Sequence, residues 1–246
     1  MLEIDFAELS DPGLTRDHNE DFLGRYVPST PEQARSHGWL FALADGVGGH
    51  DRGEVASRVA VEALTEGFRK APARESHTSL LPKLVQAANS QVFQAGLAFG
   101  PGGSDMATTL VACALRFDRA IVSHAGDSRC YLIRGNLAVS LTRDHTVANI
   151  LSRSLGANLF VNVESSEHQL NPGDTLLLCS DGLHHSVTAA DMAAIVGSNF
   201  NLDRAVSKLV DLAKERDGSD NISVQLIRVR NIERVGLYRG RHYKIP

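Results

Sequence analysis

Residues 108–141 read TTLVACALRFDRAIVSHAGDSRCYLIRGNLAVSL, and this stretch decides the fold. Its runs Thr108–Leu115, Ala120–His124, Cys130–Arg134 and Leu137–Leu141 are apolar or alternating, and turns at Phe117-Asp118, Gly126-Asp127 and Gly135-Asn136 separate them. Turns this short between β-branched, apolar runs predict successive antiparallel strands. Upstream, WLFALAD at 39–45 is apolar until its last residue, the pattern of a strand buried on both faces. Residues 3–10 and 21–27 alternate like strands around a polar turn. Between these blocks lie two helical patterns. One spans 53–70, with Val55, Val59, Leu64 and Phe68 at helical spacing; the other spans 78–99, with Leu81, Leu84, Val85, Ala88, Val92 and Phe93 on one face, closed by the glycines of 100–103.

Downstream, a short helix is predicted at 146–154. Strands are predicted at 161–170 and 175–179, joined by the turn Asn171-Pro172-Gly173-Asp174. Helices at 188–197 and 201–216 and a strand at 221–229 complete the order. Strands and helices come in separate blocks, which argues for α+β rather than a doubly wound parallel sheet. Two packed, mostly antiparallel sheets with a helix pair on each outer face, an α-β-β-α sandwich, would bury these segments.

Composition narrows the function. The 246 residues carry 25 Lys plus Arg against 29 Asp plus Glu, a formal net charge of −4, which argues against a dedicated nucleic-acid binder. No apolar run approaches the roughly 18 residues of a membrane span. The start, MLEIDFAELS, is acidic and shows no signal-peptide pattern. The three cysteines, Cys113, Cys130 and Cys179, fit no CxxC pair, and Cys113 and Cys179 read as buried core thiols. The expectation is a cytoplasmic protein, monomeric for want of an exposed heptad. After residue 229 come Arg230, Arg234, Arg239, Arg241 and Lys244 against a single acid, Glu233, so 230–246 reads as a basic, solvated arm beyond one domain at 1–229.

One device repeats. An apolar strand ends and an Asp stands beside a Gly: LFALADG at Asp45-Gly46, IVSHAGD at Asp127 and LLLCSDG at Asp181-Gly182. GSDN places Asp220 before the last strand, and NED places Glu20 and Asp21 at the head of an early one. A single Asp-Gly is an ordinary turn. Several at the ends of strands sharing one core can converge on one mouth, where ionised carboxylates repel unless cations lie between them. Oxygen ligands suit Mg²⁺ or Mn²⁺, and no Cys or His cluster has zinc spacing. Two such ions roughly 3.5–4 Å apart can activate a shared water as nucleophile. Arg16, four residues before Glu20, suggests bidentate recognition of a phosphate. A nucleotide binder using the glycines at 46–49 fails on spacing, since Asp51 stands where GxGxxG needs its last glycine.

Taken together, the segments DPGLTRDHNED (11–21), FALADGVGGHDRGEVAS (41–57), MATTL (106–110), HAGDSRCYLIR (124–134), TRDHT (142–146), LSRSLG (151–156), PGDTLLLCSDGL (172–183) and GSDNISV (218–224) resemble the bacterial metal-dependent serine/threonine protein phosphatases of type 2C, the PPM family. The resemblance implies the four-layer sandwich with metals at one end of the sheets. It implies that Asp45 bridges two core ions, with Asp181 and Asp220 on the first and Glu20 and the Gly46 carbonyl on the second. Asp127 with Asp181 would hold a weaker third ion, Arg16 would bind substrate phosphate, and Asp21 would support the ligands from behind. Phosphoproteins are the implied substrates, with a cognate serine/threonine kinase as the opposing partner. The alternative on the same fold is a catalytically impaired phosphoprotein-binding scaffold.

Three departures from the family pattern stand out. Val47 occupies the place where many eukaryotic relatives have a histidine, which leaves the leaving-group acid unassigned. Ala107 replaces the glycine of MGTTL. The stretch between TRDHT and PGDTLLLCSDG is short, which implies that most of the family's mobile flap is missing and the site is more open. His50, His184 and His185 are read as structural or solvated.

Overall fold

The computed structural model describes residues 1–47, 51–99, 106–148, 150–238 and 241–245. Gly48, Gly49 and His50 and the glycine-rich break at 100–103 lie outside the described residues. The first half of the chain forms β1 (Leu2–Asp11), β2 (Asp21–Tyr26), α1 (Pro31–Ser36), β3 (Trp39–Val47), α2 (Asp51–Lys70), α3 (His77–Ala98), β4 (Ala107–Thr108), β5 (Leu110–Arg116) and β6 (Arg119–Ala125). The second half forms β7 (Arg129–Arg134), β8 (Leu137–Ser140), β9 (Thr146–Val147), β10 (Ile150–Leu151), β11 (Glu164–Gln169), β12 (Thr175–Cys179), α4 (Asp181–His184), α5 (Ala189–Ser198), α6 (Leu202–Arg216), β13 (Ile222–Ile232), β14 (Arg234–Tyr238) and β15 (Arg241–Ile245).

One sheet has five strands in the order β1-β13-β12-β7-β8, and the other runs β11-β6-β5-β3-β2 with β4 beside β3. All these pairings are antiparallel. The apolar run of β3 explains the layering. Alternate residues Leu40, Ala42 and Ala44 face the outer helices and pack with Leu64, Phe68, Leu81 and Val85 of α2 and α3. Phe41 and Leu43 face the other way, into a layer between the sheets with Cys130, Leu176, Leu178 and Ile227. Both faces of β3 are therefore dry, which is why the run carries no polar residue before Asp45. On the far side, Leu177, Cys179 and Leu226 pack against Met192, Val206 and Leu209 of α5 and α6. The result is the α-β-β-α sandwich expected from the order of the segments.

Local chemistry sets the helix ends. Thr188 and Asp191 form a reciprocal capping box at the start of α5, and the Asn201 side chain accepts from Arg204 N–H at the start of α6. All three cysteines are buried free thiols. No helix of the described residues is long and apolar enough to cross a membrane.

Several expectations are corrected. The predicted helix at 146–154 is instead the small hairpin β9–β10, with Ile150 opposite Val147 and Leu151 opposite Thr146. Thr, Val and Ile favour extended backbone, and Ala148 between the strands has φ 50°, which a right-handed helix cannot contain. The strand expected from 161 begins only at Glu164. The last sheet strand does not stop at 229: β13 continues to Ile232, paired with Leu2, and Arg230 donates to Asp5 at 2.8 Å. The expected terminal arm forms the hairpin β14–β15. Helices α1 and α4 have no counterpart in the sequence reading; α1 is announced by Thr30, whose side chain caps it, and by Pro31 in its first turn.

Candidate metal centre

The strand ends meet as the Asp-Gly pattern suggested. Asp45 ends the polar-free part of β3, in the sheet that packs against α2 and α3. Asp181 follows β12, and Asp220 precedes β13, both in the other sheet. Asp127 sits in the turn where the chain crosses from β6 in one sheet to β7 in the other. These four, with Arg16, Glu20 and Gly46, line one cavity of about 630 Å³. Asp21 is not in its lining. It lies directly across the β2–β3 ladder from Asp45 and is buried behind it.

A hydrogen-bonded frame fixes the acids. Asp45 is gripped through its backbone: its N–H donates to the Thr109 hydroxyl at 3.0 Å, and its carbonyl accepts from the Thr108 hydroxyl and from Thr109 N–H, each at 2.8 Å. Asn221 organises the loop before β2. Its side-chain carbonyl accepts from Glu20 N–H at 2.7 Å, and its amide donates to the carbonyls of Pro12 and His18, each at 3.0 Å. Gly13, at φ +80°, lets that loop lie against Asp220, where a Cβ would come within 2.2 Å of the Asp220 carbonyl oxygen. Gly46 packs so closely on α2 that a Cβ would stand 2.2 Å from the Gly53 carbonyl oxygen. The Ser180 hydroxyl donates to Asp21 at 2.7 Å and accepts from Ser223 N–H at 2.9 Å. Asp127 is held by its backbone: His184 donates from Nε2 to its carbonyl at 2.9 Å. Asn221, Thr109 and Ser180 took no role in the sequence reading, and His184, read there as structural or solvated, is structural. Asn221 and His184 lie close in sequence to Asp220 and Asp181, but the groups they bond, Glu20 N–H and the Asp127 carbonyl, lie far away in the chain.

The electrostatics are those of crowded carboxylates. Burial pushes Asp45 well above the usual carboxylate range, and the charges of Asp21, Asp181, Asp220 and Asp127 push it further. Burial also raises Asp21 to about 7 and Asp127 to about 6. Asp181 is raised by burial and then by Asp220, and Glu20 by burial. The second oxygen of Asp21, Oδ1, is buried with no hydrogen-bond partner among the described residues. Arg16 supplies positive charge at the rim, 2.8 Å from Asp220, with its side chain half exposed.

This donor set fits divalent cations of the Mg²⁺ and Mn²⁺ kind. Every candidate ligand is an oxygen, no described lining residue is a histidine or cysteine, and cations remove the repulsion that raises these carboxyls. Another cluster meets the distance requirement for a metal: His124, His145 and Glu164, with ligand atoms within 4.8 Å of one another. Its hydrogen bonds argue against one. Gly126 N–H donates to His145 Nδ1 at 3.2 Å, so the ring proton sits on Nε2, which donates to Glu164 at 3.1 Å. A protonated Nε2 has no lone pair for a cation, and the Arg153 guanidinium stands 3.0 Å from it. The cluster braces the turn before Asp127 instead: His145 N–H also donates to the Gly126 carbonyl at 3.0 Å.

The segment between β8 and β11 borders the site. Ile150, Leu151 and Ser154 form part of the cavity lining. Val47, half-exposed, lines it as well. Ala107 is buried and pairs with Val47 across β3–β4, so its methyl is accommodated within the fold.

Comparison with known proteins agrees with this geometry. A family model described as Protein phosphatase 2C matches residues 18–217. The serine/threonine phosphatase stp of Listeria innocua is 32% identical to this chain, covering 92% of it and 96% of the relative. The protein phosphatase PhpP of Streptococcus pneumoniae is 30% identical, covering 91% and 97%. Among solved structures, the catalytic domain of the serine/threonine protein phosphatase PstP in complex with two manganese ions has a TM-score of 0.79 at 30% identity, covering 94% of this chain and 100% of that one. Fold, site and relatives converge: the chain belongs to the protein phosphatase 2C family and is a metal-dependent serine/threonine phosphatase.

Proposed function

We propose that the cavity is the catalytic centre, that it takes two divalent cations, Mn²⁺ or Mg²⁺, and a weaker third, and that it receives the phosphoryl group of phosphoserine or phosphothreonine in a protein. Asp45 would serve both core ions, with Asp181 and Asp220 on one side and Glu20 and the Gly46 carbonyl on the other. Asp127 with Asp181 would hold the third. The observation that carries this reading is the meeting of Asp45, Asp127, Asp181 and Asp220, drawn from both sheets, in one cavity with Arg16 at its rim. When bound, the cations polarise phosphoryl oxygens and lower the pKa of a water enough to make it a nucleophile near neutral pH.

The chain's own residues do the rest. Arg16 offers its planar fork of N–H donors to two phosphoryl oxygens, and Asp220 steadies it at the rim. Asp21, held by Ser180 and paired with Asp45 across the ladder, supports Asp45 from behind without entering the cavity. The Thr109 hydroxyl is engaged by Asp45 N–H and Ser128, and Ser154 has no histidine or lysine beside it among the described lining residues. Neither hydroxyl has an activating base, and the lining carboxylates would be engaged as cation ligands, so water is the nucleophile and no phosphoenzyme forms. The departing alkoxide takes its proton from water. The same reading makes residues 1–232 one catalytic unit, a cytoplasmic monomer that reverses the work of a serine/threonine kinase.

The test is hydrolysis of a phosphothreonine peptide and of para-nitrophenyl phosphate, with acid quenching to look for labelled protein. EDTA should silence turnover, Mn²⁺ should restore it, and no phosphate should stay on the chain. Full activity in EDTA, or a trapped phosphoenzyme, contradicts the mechanism.

A further inference from the structure

The lining of the catalytic cavity is of two kinds. Arg16, Asp220 and Asn221 are charged or polar, whereas Val47, Ile150 and Leu151 are aliphatic. The aliphatic part continues outward. Val147 and Ile150 are direct partners across the β9–β10 hairpin, so their side chains share one face, and they are 69% and 72% exposed. Two large aliphatic side chains bared side by side on two-residue strands do nothing for the fold. An isolated exposed Val or Ile needs no explanation, but an apolar pair contiguous with an active-site cavity does.

The pair is also held in place. Ser152 N–H donates to the His145 carbonyl at 2.8 Å and closes the hairpin. Beyond it, Thr108 and Leu155 exchange backbone hydrogen bonds at 3.0 and 2.8 Å, which ties the segment to β4, next to the residues that grip Asp45. His145 itself is buried and bonded to the Gly126 turn. The lip is therefore registered against the same frame that places the carboxylates.

A phosphoprotein that delivers its phosphoryl group to this cavity must lay the residues flanking the phosphorylated side chain over its rim. We propose that the lip of Val47, Val147 and Ile150 receives an aliphatic side chain next to the phosphorylated residue, so that the preferred substrates carry Val, Leu or Ile beside the phosphoserine or phosphothreonine. This rests on the phosphatase reading and deepens it by naming the substrate class. Apolar contact on an open lip is worth about tenfold in kcat/KM, the low end of the roughly 10–200-fold by which a hydrophobic pocket discriminates one methylene. An acidic neighbour is disfavoured by the apolar lip.

The experiment uses phosphothreonine peptides that differ only in the two residues on either side, aliphatic, Ser or Asp, assayed with the native chain and with the Val147→Ser/Ile150→Ser double variant. Both side chains are exposed, so the variant keeps the fold, checked by its thermal transition. The native chain should prefer aliphatic-flanked peptides over Ser-flanked ones by about tenfold in kcat/KM. In the double variant that ratio should fall to about twofold or less through a higher KM for the aliphatic peptides. Turnover without an aliphatic preference, or a preference that survives in the double variant, overturns the proposal alone. Absence of turnover on every peptide and on para-nitrophenyl phosphate overturns the phosphatase reading and this proposal with it.

Discussion

His184 donates from Nε2 to the carbonyl of Asp127 at 2.9 Å, so the helical turn that begins at Asp181 is tied to the turn that presents Asp127. From the other side, His145 accepts from Gly126 N–H and donates its own N–H to the Gly126 carbonyl. Two buried histidines thus clamp one acidic corner between the sheets. His184 keeps its Nδ1 buried without a partner among the described residues, and burial lowers its pKa to about 4, so it serves as a neutral donor.

His184→Leu should therefore loosen Asp127 while sparing Asp45, Asp181 and Asp220. Hydrogen-bonding supports behind metal ligands typically matter by about 10–100-fold in metal affinity. The expected outcome is a half-saturating Mn²⁺ concentration raised roughly tenfold, with His184→Gln, which retains an N–H donor, in between. An unchanged Mn²⁺ dependence in His184→Leu would remove the clamp from the account.

Arg16 is the one cationic side chain among the described residues of the cavity lining, and it already makes a charged hydrogen bond there. Charged hydrogen bonds are worth about 1.5–3 kcal/mol each, so Arg16→Ala should lower kcat/KM for phosphopeptides roughly 10–100-fold. Arg16→Lys should recover part of it, because a point charge lacks the planar fork. Steady-state kinetics on a phosphopeptide decides the matter.

Carboxylate crowding has a signature in stability. Burial holds Asp21 at about 7 and Asp45 well above the usual carboxylate range, while in the unfolded chain such groups titrate near ~3.9. The folded chain thus binds protons that the unfolded chain does not, and without metal its stability rises as pH falls through that window. Below about 6.5 the trend is opposed, because the unfolded chain protonates histidines that burial keeps neutral in the fold, His77 and His184, each at about 4. The clean comparison is therefore between about pH 8 and about pH 6.5. In EDTA the urea midpoint should be higher at the lower pH. Saturating Mn²⁺ should erase or reverse the difference, since ligands bind metal deprotonated. A higher midpoint at about pH 8 in EDTA would contradict the crowding.

The layer between the sheets carries the fold independently of the site. Phe41 is fully buried there and meets Phe6 edge-on at 5.3 Å. Phe41→Ala should cost about 3–5 kcal/mol, read as a lower urea midpoint at unchanged slope.

Much of this was legible in the residues. WLFALAD announced a strand with two dry faces, because each of its positions before Asp45 meets either helix or sheet. The acids were legible because glycines and strand ends mark where backbone leaves a buried ladder. The β9–β10 hairpin was not, since Val147 and Ile150, spaced three apart, mimic one helical face. Nor was the frame around the site. Ser180 finds Asp21 and Asn221 finds Glu20 across most of the chain, and such pairings leave no local pattern. His145 and His184 looked ordinary because their roles are set by backbone groups of a distant turn.

The most direct measurement is the Mn²⁺ dependence of phosphothreonine-peptide hydrolysis from zero metal, with calorimetric Mn²⁺ binding in parallel, for the native chain and Asp45→Asn. The native chain should be silent without metal and saturate as its metal sites fill. Asp45→Asn should stay folded, bind less Mn²⁺ and lose at least roughly a thousandfold in turnover, the equivalent of several kcal/mol of electrostatic stabilisation. Native-like turnover by Asp45→Asn, or by the native chain in EDTA, would contradict the assignment of this carboxylate cavity as the catalytic centre.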